Sequence, residues 1–160
     1  MNAVEFRRWR DAYEAAGIDP HDAPPPELRA AAAGSGVVVA SVAPRAIESA
    51  HLLDAGREVP ASPLLRELDL HPPQLGRLRL PLLLWALAYG VRGPHFSADE
   101  EQRARAAADW LTELAKKHGS VMAVTHASFR SLLRRELVRR GWIGVTRGGT
   151  RHWSAWSFTR

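Results

Sequence analysis

The sequence predicts an α/β domain whose mainly parallel sheet carries helices on both faces. Two short apolar runs, Gly36 to Ser41 and Val121 to Thr125, are each followed at once by a helical pattern. Neither run alternates with polar residues, which marks strands buried on both faces. Helical and strand periods alternate along the chain, an order that favours a parallel sheet between helices. At 160 residues the chain suits one domain, 1–160, large enough to bury a core without staples.

Phe6, Trp9, Tyr13 and Ala16 recur at three to four residues, with Arg7, Arg8, Arg10 and Glu14 opposite, so an amphipathic helix runs to Gly17. The proline-rich stretch from Asp19 to Pro26 is a loop, and a short helix from Glu27 to Ala33 stops at Gly34. After the first strand, Pro44 opens a helix carrying Ile47, Ala50 and Leu53. From Glu58 to Leu75 no period is evident, which predicts a long loop with one short strand. Leu80 to Val91 is a twelve-residue apolar run, too short to cross a bilayer and suited to a buried helix.

Ser97 and Glu100 are spaced as a capping box. The helix they open buries Ala104, Ala107, Leu111 and Leu114, and Lys116, Lys117 and His118 complement its negative end before Gly119. The second strand delivers His126 at its carboxyl end, where Ser128 can cap a helix carrying Phe129, Leu132, Leu133 and Leu137. A terminal strand is predicted within His152 to Thr159. The aromatic residues Trp85, Tyr89, Trp142, Trp153 and Trp156 are assigned to the core.

With no cysteine, disulfides and thiolate metal sites are excluded, and a cytoplasmic location is the simplest expectation. No signal peptide is expected from the charged first helix. The seven histidines are scattered without a ligand spacing, so neither a metal nor another cofactor is expected. The net charge of +5 is spread over several arginine groups. It suits an anionic ligand, nucleic acid or a membrane surface and selects none of them alone. Arg134, Arg135, Arg139 and Arg140 lie opposite the apolar stripe of their helix and are expected to be a solvated face, which makes a nucleic-acid partner the weaker reading.

Ligands of parallel sheets bind beyond the carboxyl ends of the strands. Ser41 to Arg45 and Thr125 to Ser128 sit at two such ends. There an arginine can turn its fork to an anion that also feels a helix N-terminus. A histidine there can donate to a phosphoryl oxygen.

Together these segments resemble the histidine phosphatase, or phosphoglycerate mutase-like, superfamily. Its pattern Ser-x-x-x-Arg-Ala-x-x-Thr-Ala is matched by Ser41, Arg45, Ala46 and Ala50, with Ser49 in the place of threonine. His126 ends a later apolar strand as the family's second histidine does, with Ala127 and Ser128 where glycines are common. The resemblance covers about residues 35 to 140 in order and spacing. It implies a phosphoglycerate mutase-like sheet, with Arg45, His126, Ser41 and Ser128 around a phosphoryl group. It also implies an acid that protonates the leaving group, for which Glu67 is the candidate and Asp69 the reserve. The implied ligand is a phosphorylated small molecule or phosphoprotein, at no membrane; the oligomeric state is open.

One feature of the family is missing. Its first, central strand ends in Arg-His-Gly, whose histidine attacks phosphorus, and this chain has no such tripeptide. His21 follows no strand and is expected to be an exposed loop residue. By the resemblance, the missing strand lies between the counterparts of Val37 to Ala40 and Val121 to Thr125. Three outcomes follow: a natural start upstream of Met1, which is favoured; closure of the two strands onto each other; or insertion of another chain. Without the nucleophile the pocket is expected to bind phosphate groups with little or no turnover, as an incomplete phosphatase or a non-catalytic module that recognises a phosphorylated partner.

Overall fold

A computed structural model describes residues 3–19, 21–68, 96–146, 149 and 151–160. The predicted helix from Leu80 to Val91, with Trp85 and Tyr89, and the reserve acid Asp69 lie outside the described residues.

The first helix, α1 (Ala3–Ala15), buries Phe6 and leaves Trp9 and Tyr13 partly exposed in a stacked pair. A loop leads to α2 (Pro26–Ala33), where proline at the start leaves no intrahelical N–H wanting. Strand β1 (Val37–Ser41) follows, buried from Val38 onward, and then α3 (Pro44–Leu53). The long loop contains a two-residue strand, β2 (Ala61–Ser62), and a 3₁₀ turn over Pro63–Leu65. Ser97 and Glu100 form the expected capping box of α4 (Ala98–His118): the Ser97 hydroxyl accepts from the Glu100 amide and the Glu100 carboxylate accepts from the Ser97 amide. Gly119, with φ 80°, turns the chain into β3 (Val121–Val124). Next come α5 (Ala127–Arg139) and a hairpin of β4 (Ile143–Thr146) and β5 (Trp156–Thr159).

The three strands β2, β1 and β3 form one parallel sheet in that order. Val37 pairs with Val121 and Ala40 with Val124, so β1 and β3 lie directly side by side. The slot expected between them is closed. Physically this is the economical outcome, because each buried N–H or C=O left without a partner costs about 1–3 kcal/mol. Gly36 lets α4 reach this edge: a Cβ there would sit 1.9 Å from the His118 carbonyl oxygen. Its own N–H donates to the Ser120 hydroxyl at 3.0 Å.

Side chains of β1 alternate between two cores. Val39 packs with Leu65, with Ala104, Ala107 and Leu111 of α4, and with Phe129, Leu132, Leu133 and Leu137 of α5. Val38 and Ala40 pack on the opposite face with Ala32 of α2 and Ala50 of α3. The sheet is thus covered on both sides; the stripe of α5 read from the sequence buries throughout, Ala104, Ala107 and Leu111 of α4 do so too, and in α1 Phe6 buries while Trp9, Tyr13 and Ala16 do not. Each large side chain taken fully from water contributes about 1.5–3 kcal/mol. β3 departs from expectation, being only half-buried along its length. Among the described residues it is an edge strand of the parallel sheet, with a ladder partner on one side.

The C-terminal strand is shorter than expected, and a partner strand, β4, was not foreseen. Trp153 has a φ of 56°, a left-handed backbone that interrupts the extended run. Asp22 holds that turn, accepting from the Trp153 indole N–H at 2.8 Å and facing His152 at 2.5 Å. The arginines of α5 are also more engaged than a solvated face. Arg135 pairs with Glu101 at 2.7 Å and Arg140 with Asp109 at 2.8 Å. Arg139 and Arg140 also meet the buried Glu136 carboxylate, at 2.9 and 3.2 Å, while Arg134 is exposed. A buried carboxylate requires such partners.

Candidate functional site

The carboxyl ends of β1 and β3 bring Ser41 and His126 together, because the two strands run parallel and in register up to Ala40 and Val124. Ser41 is fully buried and His126 nearly so. The imidazole Nε2 lies 2.9 Å from the Ser41 hydroxyl and Nδ1 lies 3.4 Å from Nη2 of Arg45, which stands in the first turn of α3. A guanidinium offers only hydrogens, so Nδ1 must accept from it. The proton then sits on Nε2 and is donated to Ser41. The ring is neutral: burial, then the charges of Arg45 and Arg103, push its pKa down to about 4. This tautomer cannot take a proton from Ser41, so the pair is no nucleophilic dyad.

Arg45 is the hub. Its Nη1 donates to the Tyr13 carbonyl at 2.8 Å and to the Glu14 carbonyl at 3.5 Å, in the last turn of α1. That turn has no basic residue of its own, so Arg45 serves its negative end from outside. Nη2 also meets the Glu14 carboxylate at 3.4 Å, and the guanidinium lies 4.2 Å from the Tyr13 ring centroid. Its Nε is buried without a partner among the described residues.

Glu67 enters from the loop. Its carboxylate accepts from its neighbour Leu68 at 2.9 Å and from the Phe129 amide at 3.2 Å. Phe129 is the third residue of α5, and the N-cap residue His126 makes no side-chain cap. Glu67 therefore caps α5 from a distant part of the chain. Ser128, expected as the cap, is exposed at the second helical position. The expectation failed because the sequence pattern reveals only local caps. Burial raises the Glu67 pKa, opposed by the two amides and by the Arg45 charge, while Glu14 adds to the rise.

Arg103, to which the sequence pattern assigns no role, and Thr125 of the second strand-end segment hold this loop. Arg103 of α4 donates to the carbonyls of Leu64 at 3.3 Å, Arg66 at 2.5 Å and Glu67 at 3.2 Å. Its guanidinium rests 4.4 Å from the Phe129 ring centroid. Thr125, at the end of β3, donates to the Leu65 carbonyl at 2.8 Å. His21 is exposed, as its loop position implied. No group of three or more His, Asp or Glu among the described residues is placed to hold a metal ion.

The cluster offers a fixed cation, a neutral imidazole and a carboxyl group with a raised pKa at the end of a parallel sheet. Such a set can bind an oxyanion and can exchange protons with it. Comparison with family models, with curated proteins and with solved structures finds no match for this chain.

Proposed function

We propose that this protein is phosphatase-like, of the histidine phosphatase type. On this reading it binds a phosphomonoester or phosphohistidine group at Arg45 and His126, and the described residues turn it over little or not at all. The observation that carries the reading is the 3.4 Å approach of Arg45 to His126, 81 residues apart, at the ends of two adjacent parallel strands. The strand order, with an arginine-bearing helix after β1 and a histidine after β3, supports a phosphoglycerate mutase-like sheet from which the central nucleophile strand is missing.

Binding without turnover is favoured by the state of His126. In-line attack on phosphorus requires a neutral imidazole nitrogen with a free lone pair. Here Nε2 carries the proton and the Nδ1 lone pair faces Arg45. The Arg45 guanidinium would neutralise phosphoryl oxygens, the neutral His126 would donate its Nε2–H to one of them in place of Ser41, and Glu67 would serve as the proton donor if a nucleophile were supplied. Ser41 orients His126, and Ser128, exposed beside the helix start, would meet the ligand's outer part. The ligand is a phosphorylated small molecule or phosphoprotein of the cytoplasm. No described helix is long and apolar enough to cross a membrane, and the ion pairs of Arg135, Arg139 and Arg140 weigh against a nucleic-acid surface.

Calorimetric titration with a phosphohistidine peptide and with a generic phosphomonoester tests this reading. Saturable binding that is lost in Arg45→Ala and weakened in His126→Ala is expected, with no turnover above background. Absence of binding to either probe overturns it. Hydrolysis abolished by His126→Ala would instead favour the second reading, an active phosphatase.

A further inference from the structure

Helix α1 already occupies the place at Arg45 that an anion would take. The Arg45 side chain is 12% exposed and the Glu14 side chain 41%, so a largely solvated carboxylate reaches in to a buried guanidinium. Their contact is long, at 3.4 Å, and meets one nitrogen. Further contacts of α1 lie at the same end: the Tyr13 and Glu14 carbonyls on Nη1, and the Ile18 amide donating to Glu48 of α3 at 2.8 Å. Toward the other end Phe6 is buried, while Trp9 and Tyr13 stay partly exposed.

We infer that Glu14 and the C-terminal turn of α1 form an autoinhibitory contact, an internal competitor that a phosphate group must displace from Arg45. The inference rests on the anion-binding reading of this site. A phosphate dianion can engage a guanidinium through two parallel charge-assisted bonds, which one distant carboxylate oxygen does not match. Once the anion is seated, its charge repels Glu14 and the last turn of α1 loses its outside cation. Ligand binding is thereby coupled to release of the α1 end. The Tyr13 ring, 4.2 Å from the guanidinium, is displaced with it.

The test is titration of the full chain with inorganic phosphate, in wild type, Glu14→Gln and Arg45→Ala, with amide hydrogen exchange at Gly17 and Ile18 as a second readout. Glu14→Gln is expected to bind phosphate about two- to fivefold more tightly, the range for one exposed ion pair. Phosphate is expected to speed exchange at Ile18 in wild type. Equal or weaker binding by Glu14→Gln, with wild type still binding, overturns the autoinhibitory contact alone. If neither protein binds phosphate, the anion-binding reading and this inference fall together.

Discussion

The imidazole Nε2 of His126 lies 2.9 Å from the Ser41 hydroxyl, joining residues 85 apart in sequence at the ends of two paired strands. Because Arg45 donates to the other ring nitrogen, this bond has a direction, from histidine to serine. The site's behaviour follows from that direction, and so do the expectations below.

Replacing Ser41 by alanine strands a buried Nε2–H. The expected loss of stability is about 1–3 kcal/mol, the range for an unsatisfied buried donor. Urea unfolding should show a lower midpoint at unchanged slope. An unchanged midpoint would mean that the imidazole has another acceptor.

Acid should destabilise the fold through His126. Its folded pKa of about 4 lies below its ordinary value of 6.5, so between these pH values the unfolded chain binds a proton that the folded chain refuses. Stability therefore falls as pH drops through this window, by at most about 1.4 kcal/mol per pH unit, and is unaffected by this group above it. Glu67, with its raised pKa, acts in the opposite sense on acidification. Unfolding midpoints of wild type and His126→Gln against pH isolate the histidine contribution. The difference should change between pH 6.5 and 4, and parallel curves would contradict it.

Glu67 acts on α5 as a cap, which separates two substitutions. Glu67→Leu removes the acceptor for the Phe129 amide and should cost about 1–2 kcal/mol, as lost N-caps do. Glu67→Gln keeps a side-chain oxygen and should retain most of the stability. Thermal unfolding of the two variants checks this; equal losses would exclude capping as the source.

Arg103 should control the loop that presents Glu67. It holds the Arg66 carbonyl, the carbonyl of the bond trypsin would cut, and Arg66 is exposed. Arg103→Ala should raise the rate of tryptic cleavage after Arg66, since cleavage follows local opening. Arg103→Lys should do nearly the same, because one ammonium cannot reach three carbonyls as a planar fork does. Cleavage at the wild-type rate would show that Arg103 does not control the opening of the loop.

Parts of this arrangement were legible in the sequence because they are local. The β-branched run at Val37, the capping box at Ser97 and the helical stripe from Phe129 to Leu137 each state their structure within a few residues. They place Arg45 and His126 at strand ends. What escaped is non-local or irregular. Gly144 interrupts the alternation of Ile143 and Val145, which are 72% and 51% exposed, so β4 carries no inward apolar signature. Gly144 is needed there, since a Cβ would meet the Phe158 ring at 2.6 Å. The partners of Arg45, Tyr13 and Glu14, are 32 and 31 residues away, and Glu67 caps a helix 62 residues on. No periodicity encodes such pairs. Closure of β1 onto β3, one of three arrangements the sequence left open, rests on backbone pairing, to which the side-chain pattern is blind.

The central claim, that Arg45 and His126 form one anion-binding site, is tested most directly by side-chain nuclear magnetic resonance during titration with inorganic phosphate at constant ionic strength. The buried Arg45 Nε–H and the His126 ring signals should shift together along one saturable curve, and exposed arginines such as Arg134 should not follow it. Unmoved Arg45 and His126 signals, or shifts shared equally by the exposed arginines, would contradict the account.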